Sequence, residues 1–233
     1  MRGEAAMAVL DEAKKQSGRG TDTSGQVVRL RPVSLWRRFW KRAFDVVCSA
    51  LGLLVLSPVL LVCALLVGLT SPGGVLFRQE RIGKDGVPFT IYKFRSMRRD
   101  NAGLKITTSG DSRVTPVGKV LRRTKLDELP QLFNVLKGDM SFVGPRPEVR
   151  EYTDLYDEEQ RQVLLVRPGI TGLASIRFRN ENELLDESDD PNRTYIEEVM
   201  PQKLALDLEY IPHASVFYDI RLILETLVTV VRD

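Results

Sequence analysis

Apolar residues along this chain gather into one long block followed by shorter periodic stripes. Residues 43–70 form a stretch of 28 residues whose only charge is Asp45. At about 1.5 Å rise per residue a straight helix of that length would reach roughly 42 Å, more than the ~30 Å hydrocarbon layer of a bilayer. Ser57-Pro58 interrupts the block. Pro58 has no N–H for the carbonyl of Leu54 and its ring crowds that turn, so a kink is expected. The Ser57 hydroxyl can compensate by bonding back to the carbonyl of Leu53 or Leu54. Limbs 43–57 and 58–70 would each be about 20 Å long, too short to cross alone. Arg37, Arg38, Lys41 and Arg42 precede the block and Arg78, Arg81 and Lys84 follow it, so both ends carry the basic flanks of a cytoplasmic face. A bent helix dipping into one leaflet suits both ends better than a single crossing, although a proline-kinked spanning helix fits the same pattern. Trp36 and Trp40 suit the interface ahead of the dip.

Past the block the period changes. Residues 75–97 alternate in places, as in Phe89-Thr90-Ile91-Tyr92-Lys93-Phe94, and contain Asp85-Gly86, which predicts a β-hairpin. Residues 117–123 and 126–136 have helical spacing, with Leu126, Leu129, Phe133 and Leu136 on one face and Gly138 as the stop. Near the C-terminus Val216, Ile220, Ile223, Leu227 and Val230 form a stripe that Phe217, Leu224, Val228 and Val231 widen; core is the simpler reading of it, a bilayer-facing surface the other. The acid-rich residues 181–198 predict a solvated loop leading into a helix, and Gly169-Ile170-Thr171-Gly172 a turn. Residues 1–33 mix small, polar and charged types, with a short helix expected over 4–15, and read as a mobile tail. The expectation is an α+β, predominantly helical chain: tail 1–33, membrane segment 34–72, and a globular part 73–233 with a small hairpin.

Composition narrows the chemistry. With 34 basic against 31 acidic side chains the net charge is +3, too balanced for a dedicated nucleic-acid binder. Cys48 and Cys63 both fall in the apolar block, which excludes a disulfide framework and a zinc cluster. The single histidine, His213, sits in a Pro-His-Ala-Ser turn, so histidine triads and multi-histidine metal sites are excluded and a turn or helix-start role is expected. There is no Walker loop and no dinucleotide-binding glycine fingerprint.

Chemistry concentrates between Leu121 and Pro147. Asp127 and Glu128 are adjacent carboxylates with Arg122 before them and Arg146, held between Pro145 and Pro147, after them. Phosphoryl transfer needs cationic groups around the migrating phosphorus, a divalent cation and a positioned nucleophile, and a carboxylate can be that nucleophile by forming an acyl phosphate. Mg2+ takes one or two carboxylates and leaves its other positions to water and phosphate, so one of the pair could attack while the other holds metal. On a continuous helix Arg122 would precede Asp127 by about a turn and a half. The same residues have a plainer reading. Thr124 with Asp127 three positions on looks like a capping box, Gly144-Pro145-Arg146-Pro147 a rigid turn, and Arg122-Arg123 a headgroup patch. The residues alone leave both readings open.

Five segments together resemble the small monotopic phosphoglycosyl transferases, bacterial enzymes that initiate glycoconjugate synthesis. They are Lys41-Arg42-Ala43-Phe44-Asp45, Ser57-Pro58, Tyr92-Lys93-Phe94-Arg95-Ser96-Met97, the long segment around Asp127, and Arg167-Pro168-Gly169-Ile170-Thr171-Gly172. The likeness covers about residues 39–232. It implies a re-entrant helix-break-helix in the bacterial inner membrane, bent at Ser57-Pro58, with a catalytic domain on the cytoplasmic face. It also implies that Asp127 attacks the β-phosphate of a UDP-sugar and releases UMP, that Glu128 helps hold Mg2+, and that Arg122 and Arg146 contact phosphate. A polyprenol phosphate then takes the phosphosugar. Larger relatives add N-terminal transmembrane helices, so the likeness is to the minimal form. Gly172-Leu173-Ala174 stands where relatives often have Gly-Trp-Ala, and Phe178-Arg179-Asn180 where they often have Gly-Arg-Asn, so no particular sugar is implied. A membrane glycosyltransferase that releases UDP and a non-catalytic envelope scaffold are the competing readings, and the oligomeric state, a homo-oligomer included, is left open.

Overall fold

The structure, a computed structural model, describes Leu30 and residues 34–71, 73–98 and 113–231. The helix expected over 4–15 lies outside the described residues. Leu30 packs against the main core, and its N–H donates to Gln162 Oε1 at 2.6 Å.

The first two helices of the described residues are α1 (Leu35–Val55) and α2 (Ser57–Thr70). Ser34 caps the first by accepting from the Arg37 N–H, and the axes bend by 63° between them. The cause of the bend is the one the sequence predicts. The Ser57 hydroxyl donates to Leu54 O at 2.7 Å, supplying the partner that Pro58 cannot. Among the described residues no single helix is long and apolar enough to cross a membrane; only this bent pair is so jointly.

The hairpin follows as β1 (Leu76–Ile82) antiparallel to β2 (Pro88–Phe94), with Glu80 opposite Thr90. Asp85 and Gly86 both take positive φ at the turn, which explains the Asp-Gly pair there. Then come α3 (Pro116–Arg123) and α4 (Gln131–Lys137), joined by a 3-10 turn over Leu126–Glu128. Helix α3 starts on Thr115, which accepts from the Gly118 N–H at 2.9 Å. A side chain at Gly118 would collide with the backbone of Ser96, so glycine lets α3 lie directly on the chain leaving β2. The apolar face of α4 differs from the expected stripe. Leu132, Asn134 and Val135 are buried, while Phe133 is 53% exposed and Leu136 37%, because the intervening 3-10 turn breaks the phase that a continuous helix would keep.

Strand β3 (Ser141–Val143) pairs in parallel with β4 (Gly169–Thr171). The Gly-Ile-Thr-Gly run is therefore a strand and not only a turn, and Gly144, Gly169 and Gly172 permit it. A Cβ on any of them would meet facing backbone within 2.4 Å. Five more helices follow: α5 (Arg150–Thr153), α6 (Leu173–Arg177), α7 (Glu181–Asp186), α8 (Pro191–Thr194) and α9 (Met200–His213), the last entered through a π turn over Tyr195–Val199. The acid-rich 181–198 segment is thus mostly helical, since Leu185, Tyr195 and Val199 anchor it in the core. His213 ends α9 and meets the Tyr218 ring edge-on. The final helix is α10 (Val216–Val231). Its buried positions are Asp219 and Leu222 and Ile223 packs against the core, whereas Phe217 is 87% exposed and Ile220, Leu224, Leu227 and Val228 are also exposed, so only part of the broad stripe is core.

The apolar pair is fixed to this body by Lys41, Arg42 and Asp45 near its start. Lys41 pairs with fully buried Asp219 of α10 and donates to Val143 O at 3.0 Å. Arg42 donates to Val135 O at 2.6 Å and Leu136 O at 2.8 Å, closing the carbonyl end of α4. Asp45, 1% exposed, accepts from the Ser141 hydroxyl at 3.1 Å and the Phe142 N–H at 3.2 Å. Cys48 and Cys63 are free thiols, as their place in the block predicts.

Candidate active site

Asp127 and Glu128 sit in the 3-10 turn, not on a helix, and the chain arranges this locally. Helix α3 ends at Arg123, where the Thr124 hydroxyl donates back to Val120 O at 2.9 Å. Thr124 therefore terminates a helix, and the capping-box reading, which needs it to start one, does not hold. Lys125 then adopts φ 57°, the left-handed conformation, and this reversal swings the carboxylates off the axis of α3. Pro130 leads into α4 immediately afterwards.

A third element brings in the counter-charge. Asn134, fully buried on α4, donates to Thr90 O at 2.7 Å and accepts from the Tyr92 N–H at 3.1 Å. This amide holds β2 beside the carboxylate turn, so Lys93 reaches Glu128 Oε1 at 2.7 Å. Arg146, on the proline-stiffened loop after β3, reaches the same oxygen at 3.5 Å and is 39% exposed at its side chain. The loop itself is braced from below: buried Asp207 of α9 accepts from the backbone N–H groups of Ala174 and Arg146.

The two carboxyls are driven apart in acidity. Burial pushes Glu128 up, but Lys93, Arg146 and Lys125 outweigh it and hold the carboxyl far below the usual range. Glu128 in turn pulls Arg146 up, while burial pushes the Lys93 ammonium down against the pull of Glu128. Asp127 moves the opposite way. Burial raises it, the charge of Glu128 raises it further, and Lys93, Lys125 and Arg122 only partly offset this. Asp127 is 8% exposed, and its Oδ1 is buried without a hydrogen-bond partner. A desolvated carboxylate oxygen with no partner is poised for bond formation or for a cation, and is costly otherwise.

Asp127, Glu128 and Arg146 thus come together as expected. Arg122 lies at the edge: its guanidinium donates toward Met97 Sδ at 3.2 Å, and it acts on Asp127 by charge and not by contact. Ser57 and Pro58 both lie at the start of α2, at the bend. Sequence reading gave no role to Lys93, Lys125 or Asn134. Lys93 had a signal, as the only charge in residues 87–94. The left-handed Lys125 and the strand-gripping Asn134 had none, because each depends on tertiary placement.

For a divalent cation the donor set fits in kind. Glu128 is held ionised, and Asp127 offers an unpartnered oxygen; both are the hard carboxylate ligands that Mg2+ accepts. Among the described residues no group of three His, Cys, Asp or Glu side chains gathers as a full protein cage. Such a cation would therefore draw its other ligands from water or substrate.

Residues 36–233 match the family model described as Bacterial sugar transferase. The UDP-glucose:undecaprenyl-phosphate glucose-1-phosphate transferase of Escherichia coli (strain K12) is 44% identical over 202 residues, covering 84% of this chain and 41% of that protein. The protein of the same description from Caulobacter vibrioides is 41% identical over 214 residues, covering 88% of this chain and 76% of its own length. The exopolysaccharide production protein PSS of Rhizobium leguminosarum bv. phaseoli is 44% identical over 198 residues, covering 81% of this chain and 94% of its own. The chain thus spans less than half of the first relative and nearly all of the third. The family match runs through α1, the hairpin and every carboxylate and cation described above, and the chain belongs to the bacterial sugar transferase family.

Proposed function

We propose that this protein transfers a sugar 1-phosphate from a UDP-sugar to undecaprenyl phosphate and releases UMP, with Asp127 as covalent carrier. The observation that carries this reading is the contrast within the carboxylate pair. Glu128 is neutralised by Lys93 and Arg146, and Asp127 is buried with an oxygen unengaged. Relatives described as UDP-glucose:undecaprenyl-phosphate glucose-1-phosphate transferases support the substrate class.

In the first half-reaction an Asp127 carboxylate oxygen attacks the β-phosphorus of the UDP-sugar. The phosphoanhydride bond to the α-phosphate breaks, and UMP departs with that bridging oxygen and its electron pair. In the second, a phosphate oxygen of undecaprenyl phosphate attacks the same phosphorus and the carboxylate leaves, which restores Asp127 and yields the sugar diphosphate lipid. Arg146 on its stiff loop, with Arg122 and Lys125, surrounds the migrating phosphoryl group with positive charge. Glu128 would hold Mg2+, which when bound supplies further positive charge at the diphosphate. Lys93 keeps Glu128 ionised and fixed.

The membrane placement belongs to the same reading. Helices α1 and α2 form a re-entrant hairpin in the cytoplasmic leaflet of the inner membrane, and the catalytic body lies at the headgroup plane. The bend, the exposed Leu54, Val55, Leu61 and Leu69 on the pair, and the basic flanks support it. Lys41, Arg42 and Asp45 then set the height of the carboxylates above the lipid.

Nucleotide analysis tests the reaction. Purified protein with Mg2+, undecaprenyl phosphate and a panel of UDP-sugars is expected to release UMP. Release of UDP would mean that the sugar-to-phosphate bond breaks and would make the protein a glycosyltransferase; no nucleotide release with any sugar would leave a lipid-bound scaffold.

A further inference from the structure

An apolar groove of about 440 Å3 runs between α2 and α3 and ends at the carboxylate turn. Val59, Val62 and Leu66 form one wall, Val120 and Leu121 the other, and Leu126 closes the inner end. Its volume falls within the roughly 300–1,000 Å3 of small-ligand sites, but it has none of the convergent polar groups that orient a polar ligand. Val59, Val62, Leu66 and Val120 are each between 37% and 55% exposed, so among the described residues nothing covers the groove.

Its two ends have different chemistry. Leu126 immediately precedes Asp127 in the same 3-10 turn, and Arg122 and Lys125, whose charges act on Asp127, flank the inner end in sequence. The outer end lies along α2, in the segment that enters lipid. A ligand matching this profile has an anionic head and a long hydrocarbon tail, the head at Asp127 and the tail leading toward the bilayer. A UDP-sugar has no such tail. We infer that the groove between α2 and α3 is the seat of the acceptor's isoprenoid chain, holding its first units so that the phosphate meets the Asp127 phosphosugar. The inference rests on the reaction proposed above and adds where the acceptor enters and what selects it. Phosphate binding to Arg122 and Lys125 alone would accept any lipid phosphate, whereas a walled groove discriminates by chain.

Separating the two half-reactions tests it with the full-length protein in detergent. A UMP burst from UDP-sugar without acceptor reports the donor half and the integrity of the site. Val62→Trp and Val120→Trp, which fill the groove from opposite walls, are expected to keep that burst. They should raise the KM for undecaprenyl phosphate about tenfold, the effect of losing roughly two buried methylene groups. The KM for geranyl phosphate, with far less chain to seat, should move less. An unchanged acceptor KM, or equal rises for both acceptors, would overturn the assignment. As a check that needs no variant, a benzophenone-tagged polyprenyl phosphate should label peptides from residues 57–70 and 116–126, with protection by undecaprenyl phosphate. Labelling elsewhere, equal protection by phosphatidylglycerol vesicles, or copy-to-copy crosslinking of Val120→Cys would each overturn it, the last two by identifying an acyl-chain seat or a dimer contact. A wild-type protein that gives no UMP burst would sink the proposed reaction instead.

Discussion

At the residue scale the site works by setting two neighbouring carboxyls against each other. Lys93 and Glu128 are both largely buried, with side chains 18% and 11% exposed, so removing the ammonium strands a charge. Lys93→Met is expected to destabilise the protein by about 3 kcal/mol, the scale of a broken buried ion pair, and to abolish UMP release. Denaturant unfolding checks the first and nucleotide analysis the second. The pH dependence follows from Asp127. Attack requires its anion, so activity falls as pH drops through a pKa that burial and Glu128 have raised above the usual carboxylate value. Arg122 is one of the cations that pull it back down. Arg122→Gln should therefore move the acidic limb of UMP release to higher pH, and Arg122→Lys should leave it in place; a limb that stayed or moved lower in the glutamine variant would contradict the electrostatic role. Residue types alone marked the carboxylate pair and both arginines as candidates for phosphoryl chemistry but left a capping and turn reading open, and the family resemblance supplied their roles. The inequality of the two carboxyls was not legible, since it arises from Lys93 on a distant strand and from burial.

At the element scale the chain was legible wherever one local rule dominates. Ser57-Pro58 forces a bend with its own hydrogen-bond repair, and Asp85-Gly86 forces a hairpin turn. Periodicity misled where an irregular turn resets the phase. The helical spacing of residues 126–136 is interrupted, since 126–128 form a 3-10 turn and α4 begins only at Gln131, so the buried face moves to Leu132 and Val135. Gly144, Gly169 and Gly172 look like turn formers in sequence, yet Gly169 opens β4 and the other two follow β3 and β4, where close backbone contacts leave no room for a side chain. The bend is directly testable. Replacing both Ser57 and Pro58 by alanine should let residues 35–70 run as one helix, roughly 54 Å at 1.5 Å per residue. A cysteine at exposed Leu69, with Cys48 and Cys63 replaced by serine, should then be labelled from the opposite side of sealed vesicles. Labelling from the original side would mean that Lys41, Arg42 and Asp45, and not the Ser-Pro break, fix the path of the chain.

At the scale of the whole molecule the bent helix pair and the candidate site are joined in one body. The clamp that Lys41, Arg42 and Asp45 make on α10, α4 and β3 leaves the apolar helices little freedom relative to the carboxylate turn. Exposed Phe217, Leu224, Leu227 and Val228 on α10 add an apolar face whose direction the stripe in the sequence could not tell, since core and lipid select the same residue types. Under the proposed reaction this arrangement would bring the carboxylate turn to an acceptor confined to a bilayer, and that reaction requires phosphorus to pass through the protein. The decisive measurement is mass spectrometry of the peptide containing Asp127 after rapid acid quench of the protein with UDP-sugar and Mg2+ in the absence of acceptor. We predict a phosphosugar adduct on Asp127 in step with released UMP, discharged when undecaprenyl phosphate is added and missing in Asp127→Asn. UMP release with Asp127 unmodified throughout turnover would contradict the account.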